Sequence, residues 1–102
     1  MKLSNEDKDK LKKLAYNAIE DALFGKHAKD PVILSDILKE KRGAFVTLKK
    51  KGELRGCIGY IKGVKPLYET VQEMAIQAAF HDPRFAPLEK DEWEFIDIEI
   101  SV

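Results

Sequence analysis

The sequence AFVTLKKKGELRGCIGYI at residues 44–61 predicts a β-hairpin, and the rest of the chain is arranged around it. Its first part, Ala44–Leu48, is rich in β-branched and aromatic side chains, which favour strands. Gly52 supplies a turn, and a second strand then runs from Leu54 to Ile61. We therefore expect two antiparallel strands joined by a short turn.

Amphipathic helices are predicted on both sides of the hairpin. Residues 5–24 place apolar side chains at the three- and four-residue spacing of one helical face, which we expect in the core. Ser4 can cap the start of this helix, and Gly25 is a natural stop. Pro66 occupies the place expected for the first residue of a second helix, whose apolar stripe reaches Phe80.

The end of the chain shows the clearest alternation of apolar and polar residues, which predicts a strand with one buried face. The side chains expected on that face are Ile96, Ile98, Ile100 and Val102. The order helix, hairpin, helix, strand predicts an α+β fold, with a small antiparallel or mixed sheet and helices packed on one face. The 102 residues suffice for a single domain.

The charge balance and the cysteine content argue against several classes of function. Eighteen basic residues balance eighteen acidic ones, so there is no bulk positive field for binding nucleic acid or an anionic membrane. A single cysteine cannot form an internal disulfide, and the sequence has neither a signal peptide nor an apolar run of membrane-spanning length. We therefore expect a cytoplasmic protein without nucleic-acid or membrane partners.

The hexapeptide LRGCIG at residues 54–59 is the candidate site, because it holds the only cysteine between two glycines. Side chains two apart on a regular strand share a face, so the Arg55 guanidinium is expected beside the Cys57 sulfur. A neighbouring cation favours the thiolate. Gly56 and Gly59 have no Cβ, so another backbone or a ligand can approach closely there.

Two interpretations of Cys57 stay open at this point. It is either a nucleophile, with the nearby arginine favouring the thiolate and His81 shuttling protons, or a small buried hydrophobic side chain. Regular alternation places Leu54, Ile58 and Tyr60 on the face opposite Cys57. If the core covers that face, Cys57 points away from the core.

The segment after the second predicted helix also carries candidate residues. Residues 82–83 predict a turn with an Asx-type hydrogen bond, and Phe85 is expected to pack into the core. Arg84 is either a ligand-facing cation or a structural partner of Glu89 or Glu92, and the sequence does not decide between them.

No metal or cofactor is expected. One cysteine and two distant histidines fall short of a structural zinc set, and there is no C-x-x-C or H-x-x-x-H spacing. The sequence contains neither a G-x-G-x-x-G run nor a P-loop.

The runs GAFVTL at 43–48, LRGCIG at 54–59, DPRF at 82–85 and IEISV at 98–102 together resemble the AMMECR1 domain family. The resemblance implies an α/β domain of intracellular proteins, without an established biochemical activity. It also implies a protein partner, because microbial members are often encoded beside or fused to Memo-like and radical SAM proteins.

The chain departs from this family in two ways. Members usually continue into a second half with further strands and helices, so residues 1–102 resemble only the N-terminal part and are expected to form one shortened domain. A shortened relative, a fragment and a subunit that needs a partner all fit this pattern. His81 stands where the family suggests a basic residue such as arginine.

The leading hypothesis is a domain that binds a partner protein or a small ligand. The surface expected to do so is formed by Arg55, Cys57, Gly59 and Arg84. The alternative is a thiol-dependent enzyme with Cys57 as the nucleophile.

The sequence also leaves the oligomeric state undecided. Either the last strand leaves a sheet edge exposed, which predicts a homodimer or association with a separate chain, or it lies between the two hairpin strands and a monomer suffices.

Overall fold

The predicted hairpin is confirmed and forms the centre of the fold. The computed structural model describes residues 3–102. Strand β1 (Ala44–Lys50) pairs antiparallel with β2 (Glu53–Tyr60). Lys51 and Gly52 form the turn with φ values of 51° and 85°, and this pair of positive angles is typical of tight hairpin turns.

The last strand, β3 (Ile96–Ser101), lies at an edge of the sheet. It pairs antiparallel with β1, and the strand order is β2-β1-β3. The alternative that placed the last strand between the hairpin strands was therefore wrong, because β1 takes the central position. The predicted α+β class is confirmed, with an entirely antiparallel three-stranded sheet.

The helices are α1 (Asn5–Phe24), α2 (Asp36–Lys39), α3 (Leu67–Phe80) and a 3₁₀ helix (Lys90–Phe95). The α1 caps are as predicted: the Ser4 hydroxyl accepts the N–H of Asp7 at 3.0 Å, and Gly25 adopts a left-handed conformation. Pro66 is the N-cap of α3 rather than its first residue. Within residues 3–102, no helix combines the length and apolar character needed to cross a membrane.

The core lies between one face of the sheet and the helices α1 and α3. Its largest fully buried side chains include Leu11, Leu14, Ile19, Leu38, Val46, Leu48, Val71, Met74 and Ile98. Ile96 is also buried and Ile100 partly so, but Val102 is 49% exposed. The prediction that Val102 shares the buried face was wrong, because β3 ends at Ser101.

A β-bulge interrupts β2 at Arg55. The register passes from Leu48 opposite Gly56 to Lys49 opposite Leu54, so Arg55 is an extra residue without a partner on β1. One extra residue reverses the alternation of side chains that precede it. Leu54 therefore shares the face of Cys57, and its predicted place on the opposite face was wrong.

Gly56 lets α3 approach the sheet closely. A Cβ atom on Gly56 would overlap with the backbone carbonyl oxygen of Ala78 in α3. Gly56 is buried at this contact. The close approach expected from the sequence is therefore made by the protein's own helix, and Gly56 has no surface left for a ligand.

The Gly56→Ala variant should lose about 1–3 kcal/mol of the free energy of unfolding, because the added methyl group must push α3 away from β2. Urea denaturation followed by circular dichroism measures this loss. The control is Glu53→Ala in the same strand, where the side chain is exposed and the change should stay within about 0.5 kcal/mol. Equal stability of the two variants would contradict the close contact with Ala78.

Candidate functional site

Cys57 lies in the middle of β2, on the sheet face that points away from the core. It is directly opposite Thr47 on β1, and its Sγ lies 3.1 Å from the Thr47 hydroxyl. Both side chains are partly exposed. Cys57 is therefore not a core side chain, and its nearest polar contact is a neutral hydroxyl.

The Asp82 carboxylate binds the free edge of β2 at Cys57. Asp82 follows α3 directly and is only 4% exposed. Its Oδ2 accepts the N–H of Cys57 at 3.0 Å, and its Oδ1 accepts the N–H of Arg84 at 3.0 Å. The second bond is the predicted Asx-type turn. The first bond connects the end of α3 to the sheet.

Arg84 completes this contact with the strand edge. Its Nε and Nη2 donate to the two Asp82 oxygens at 3.1 and 2.8 Å, and Nη2 also lies 3.3 Å from the Cys57 carbonyl oxygen. The N–H and C=O of one residue in an antiparallel strand point to the same side. Asp82 and Arg84 therefore satisfy both backbone groups that Cys57 turns away from β1.

The charges of this pair stabilise each other. The Arg84 guanidinium holds the pKa of the buried Asp82 carboxyl well below its usual range, against the opposing effect of burial. The N–H groups of Cys57 and Arg84 lower the pKa further. Asp82 in turn raises the pKa of Arg84. The sequence left the partner of Arg84 open between Glu89, Glu92 and a ligand, and the structure pairs it with Asp82.

Arg55 has a different environment from the one expected. Its Nε and Nη2 bind the two Glu92 oxygens at 2.9 and 3.1 Å, and Nη2 donates to the Ala86 carbonyl at 2.8 Å. Lys50 joins them through Nζ, 3.1 Å from Glu92 Oε1. The expected placement of Arg55 beside the Cys57 sulfur does not hold, because it assumed a regular strand.

This network shifts the acidity of Glu92. The hydrogen bonds from Arg55 are the main cause, and the Glu89 N–H and Lys50 contribute, so that the pKa of Glu92 falls from 4.5 to about 2. Arg55 and Glu92 both have 13% exposed side chains. The network therefore joins the hairpin to the 3₁₀ helix and leaves Arg55 little surface for a ligand.

Phe85 lies between the two arginines rather than in the core as expected. Its ring centroid is 5.4 Å from the Arg84 guanidinium carbon and 5.8 Å from that of Arg55. Such distances are typical of cation–π contacts. The buried apolar side chain of this segment is Leu88.

Two further candidate residues, His81 and Gly59, have other surroundings. His81 ends α3 as its C-cap, is exposed, and has no hydrogen bond to Cys57 among the contacts of residues 3–102. The Phe45 ring occupies the space over Gly59, where a Cβ atom would overlap with it. Gly59 therefore provides room for an aromatic side chain of the protein itself.

The structure thus brings together Cys57, Gly59 and Arg84, but not Arg55 and His81. Sequence reasoning missed Thr47 as the contact of the thiol, because counting across the hairpin turn places Thr47 opposite Gly56, and only the bulge moves it opposite Cys57. It also missed Asp82 as an edge ligand, for which the sequence offered only the turn signal.

No metal site is evident in the part of the chain described. Residues 3–102 contain no group of three His, Cys, Asp or Glu side chains that could hold a metal ion.

Comparisons with known proteins point to one family. A sequence model described as AMMECR1 matches residues 12–102. A protein of Methanothermobacter thermautotrophicus is 50% identical over 98% of this chain and 53% of its own length, and a Methanopyrus kandleri protein is 46% identical over 99% and 50%. The crystal structure of an uncharacterized Pyrococcus horikoshii protein matches with a TM-score of 0.88 and 38% identity, over 100% of this chain and 53% of its own. The chain spans about half the length of these relatives.

The Glu92→Gln variant tests whether the charged Glu92 carboxylate stabilises the fold through Arg55, because that stabilisation should depend on pH. A carboxyl whose pKa is lowered by folding stabilises the fold fully above its unfolded value of about 4.5 and loses this contribution as pH falls towards 2. The free energy of unfolding of the wild type should therefore exceed that of the variant by on the order of 2 kcal/mol at pH 6. This difference should shrink below about pH 4.5.

Urea denaturation between pH 6 and pH 2.5 measures this difference. Glu94→Gln, in the same 3₁₀ helix but with an exposed side chain, is the matched control and should show little difference. A stability difference for Glu92→Gln that stays constant across this range would contradict the charged network.

Proposed function

This chain belongs to the AMMECR1 family, and we propose that it serves as a binding domain whose contact surface is the uncovered face of the hairpin. We define the outer-face patch as Phe45, Thr47, Leu54 and Cys57, with Arg84 at the strand edge. The proposal covers a partner protein first, and a small ligand at the same place second.

The observation that carries the proposal is the exposure of apolar side chains on this face. The helices pack against the face of Val46 and Leu48, which are fully buried. On the other face Phe45 is 42% exposed and Leu54 is 46% exposed. Exposed apolar side chains grouped on one surface are typical of interaction sites.

The register arranges the outer-face patch as a row along the hairpin. Phe45 lies over Gly59, Thr47 lies opposite Cys57, and Leu54 lies opposite Lys49. A partner would therefore meet two apolar side chains separated by a hydroxyl and a thiol. Arg84, with a side chain 55% exposed, adds a cation beside this row.

Arg84 also makes the edge suited to a polar contact. Its Nε and Nη2 are engaged with Asp82 and the Cys57 carbonyl, while Nη1 makes no hydrogen bond to residues 3–102. A guanidinium fixed in this way presents its remaining donors at low entropic cost. An anionic or carbonyl group of a partner would suit this position.

The alternative, a thiol-dependent enzyme with Cys57 as nucleophile, draws support from the partly exposed thiol with Arg84 at its backbone. In this enzyme Arg84, instead of Arg55, would favour the thiolate of Cys57, and His81 would shuttle protons. We favour binding because the polar contact of Sγ is the Thr47 hydroxyl, which is not a base near neutral pH. The enzyme needs His81 to move to the thiol.

The proposal also includes the kind of partner protein and the cellular compartment. The family resemblance suggests a Memo-like or radical SAM protein in the cytoplasm. The names of these relatives identify no ligand or partner, so this choice rests on the resemblance alone.

The binding proposal predicts that Leu54→Lys reduces partner capture at least about tenfold, because it places a charge in the apolar row. The tagged domain is used as bait in a lysate of the source organism, and captured proteins are quantified by mass spectrometry. Val64→Lys is the matched control, since Val64 is an apolar residue 60% exposed outside the patch. Identical partner sets for wild type and Leu54→Lys would argue against the patch.

Alkylation separates the two functions. The enzyme hypothesis predicts that iodoacetamide modifies Cys57 at pH 7 at least about ten times faster than it modifies glutathione, and that Arg84→Ala removes the advantage. The binding hypothesis predicts a rate no faster than that of glutathione. A fast rate that depends on Arg84 would favour the enzyme.

A further inference from the structure

We propose that the outer edge of β3 pairs with the same edge of a second copy of this chain, forming a two-fold symmetric dimer with Ile100 on the symmetry axis. This inference does not depend on the proposed function, because it uses the opposite edge of the sheet from the one that Asp82 and Arg84 cover.

The two edges of the sheet differ in how their backbone groups are satisfied. On β3, the N–H of Ile98 points away from β1 and donates to the Tyr16 hydroxyl at 3.1 Å. Alternation along an antiparallel strand makes the N–H and C=O of Ile100 point to the same open side. Within residues 3–102, Tyr16 therefore covers this edge only at Ile98, and the Ile100 backbone makes no hydrogen bond on the open side.

A groove lies beside this open stretch. It has a volume of about 570 Å³ between the first turns of α1 and the end of β3. Its apolar walls are formed by Leu3, Leu11, Ile100 and Val102. An incoming strand would hydrogen-bond to the open backbone and cover these side chains, which is a known mode of recognition at exposed sheet edges.

The charges on β3 favour one register for a second copy. With Ile100 opposite the partner's Ile100, Glu99 faces the partner's Ser101 and no two carboxylates are directly opposite. With the axis at Glu99, Glu99 faces the partner's Glu99, and with the axis at Ile98, Asp97 faces the partner's Glu99. Like charges directly opposite each other destabilise a strand pair.

The rim of the groove is also suited to a second copy. Lys8 and Lys12 line it together with Asp9 and Glu99, so each copy presents both signs of charge. A two-fold axis perpendicular to the sheet keeps the helices of both copies on one side of a continuous sheet. The basic and acidic groups of one rim then meet those of the other.

The register can be tested by reversing one charge at Ser101. Ser101→Lys should tighten the dimer and Ser101→Glu should weaken it, each by at least about threefold in dissociation constant, because residue 101 faces the partner's Glu99 twice in the symmetric pair. Asp97→Lys is the matched control on the same exposed face of β3, outside the paired stretch, and should change the constant less than about twofold.

Sedimentation equilibrium across a dilution series measures these constants, with the mass rising from 11.6 kDa towards twice that value. Circular dichroism verifies that the exposed substitutions leave the fold intact. The expected result is a concentration-dependent dimer with opposite shifts for the two Ser101 variants. A monomer at every concentration up to millimolar would overturn the proposal, as would equal shifts for both variants or a dimer abolished by Leu54→Lys instead.

Discussion

The buried carboxylate of Asp82 is the interaction on which the arrangement of the sheet edge depends. It accepts the Cys57 N–H from β2 and binds Arg84 through two hydrogen bonds to the side chain and one to the backbone. A buried charge is tolerated only when it is paired and fully hydrogen-bonded. The end of α3 is therefore held against β2 by a buried carboxylate whose hydrogen-bond partners are Cys57 and Arg84.

The same pair explains why the DPR sequence and the LRGCIG sequence belong together. Asp82 and Arg84 act on the edge of β2 in place of a further strand, which protects that edge from unwanted pairing. One residue before Cys57, Gly56 allows the backbone of α3 to reach the sheet. Two residues before it, the bulge directs Arg55 to Glu92. Most of the hexapeptide thus supports the fold, and Cys57 is the residue in it whose reactive side chain is partly exposed.

How much the sequence predicts depends on whether an element is set by local pattern. Helices α1 and α3 and strand β3 follow from periodicity, because each buries one face, and the hairpin follows from the β-branched and aromatic residues of its first strand and the turn at Gly52. The bulge at Arg55 was not predicted, since only the pairing with β1 reveals the extra residue. The 3₁₀ helix was missed because no residue of 90–95 is fully buried and the segment carries no apolar stripe.

The site was less predictable than the fold, because it depends on contacts between distant segments. Arg55 and Glu92, or Cys57 and Asp82, meet only after α3 has packed on the sheet. Sequence spacing therefore assigned the wrong arginine to Cys57, while the turn at Asp82 was correct because it is local.

Native-state hydrogen exchange of two amides in β2 tests the central role of Asp82 most directly. The N–H groups of Cys57 and Gly59 point to the same open side of the strand, but only that of Cys57 has Asp82 as its acceptor. The Cys57 amide should exchange at a rate close to that of core amides and at least about tenfold more slowly than the Gly59 amide. Equal, fast exchange of both amides would contradict this role of Asp82.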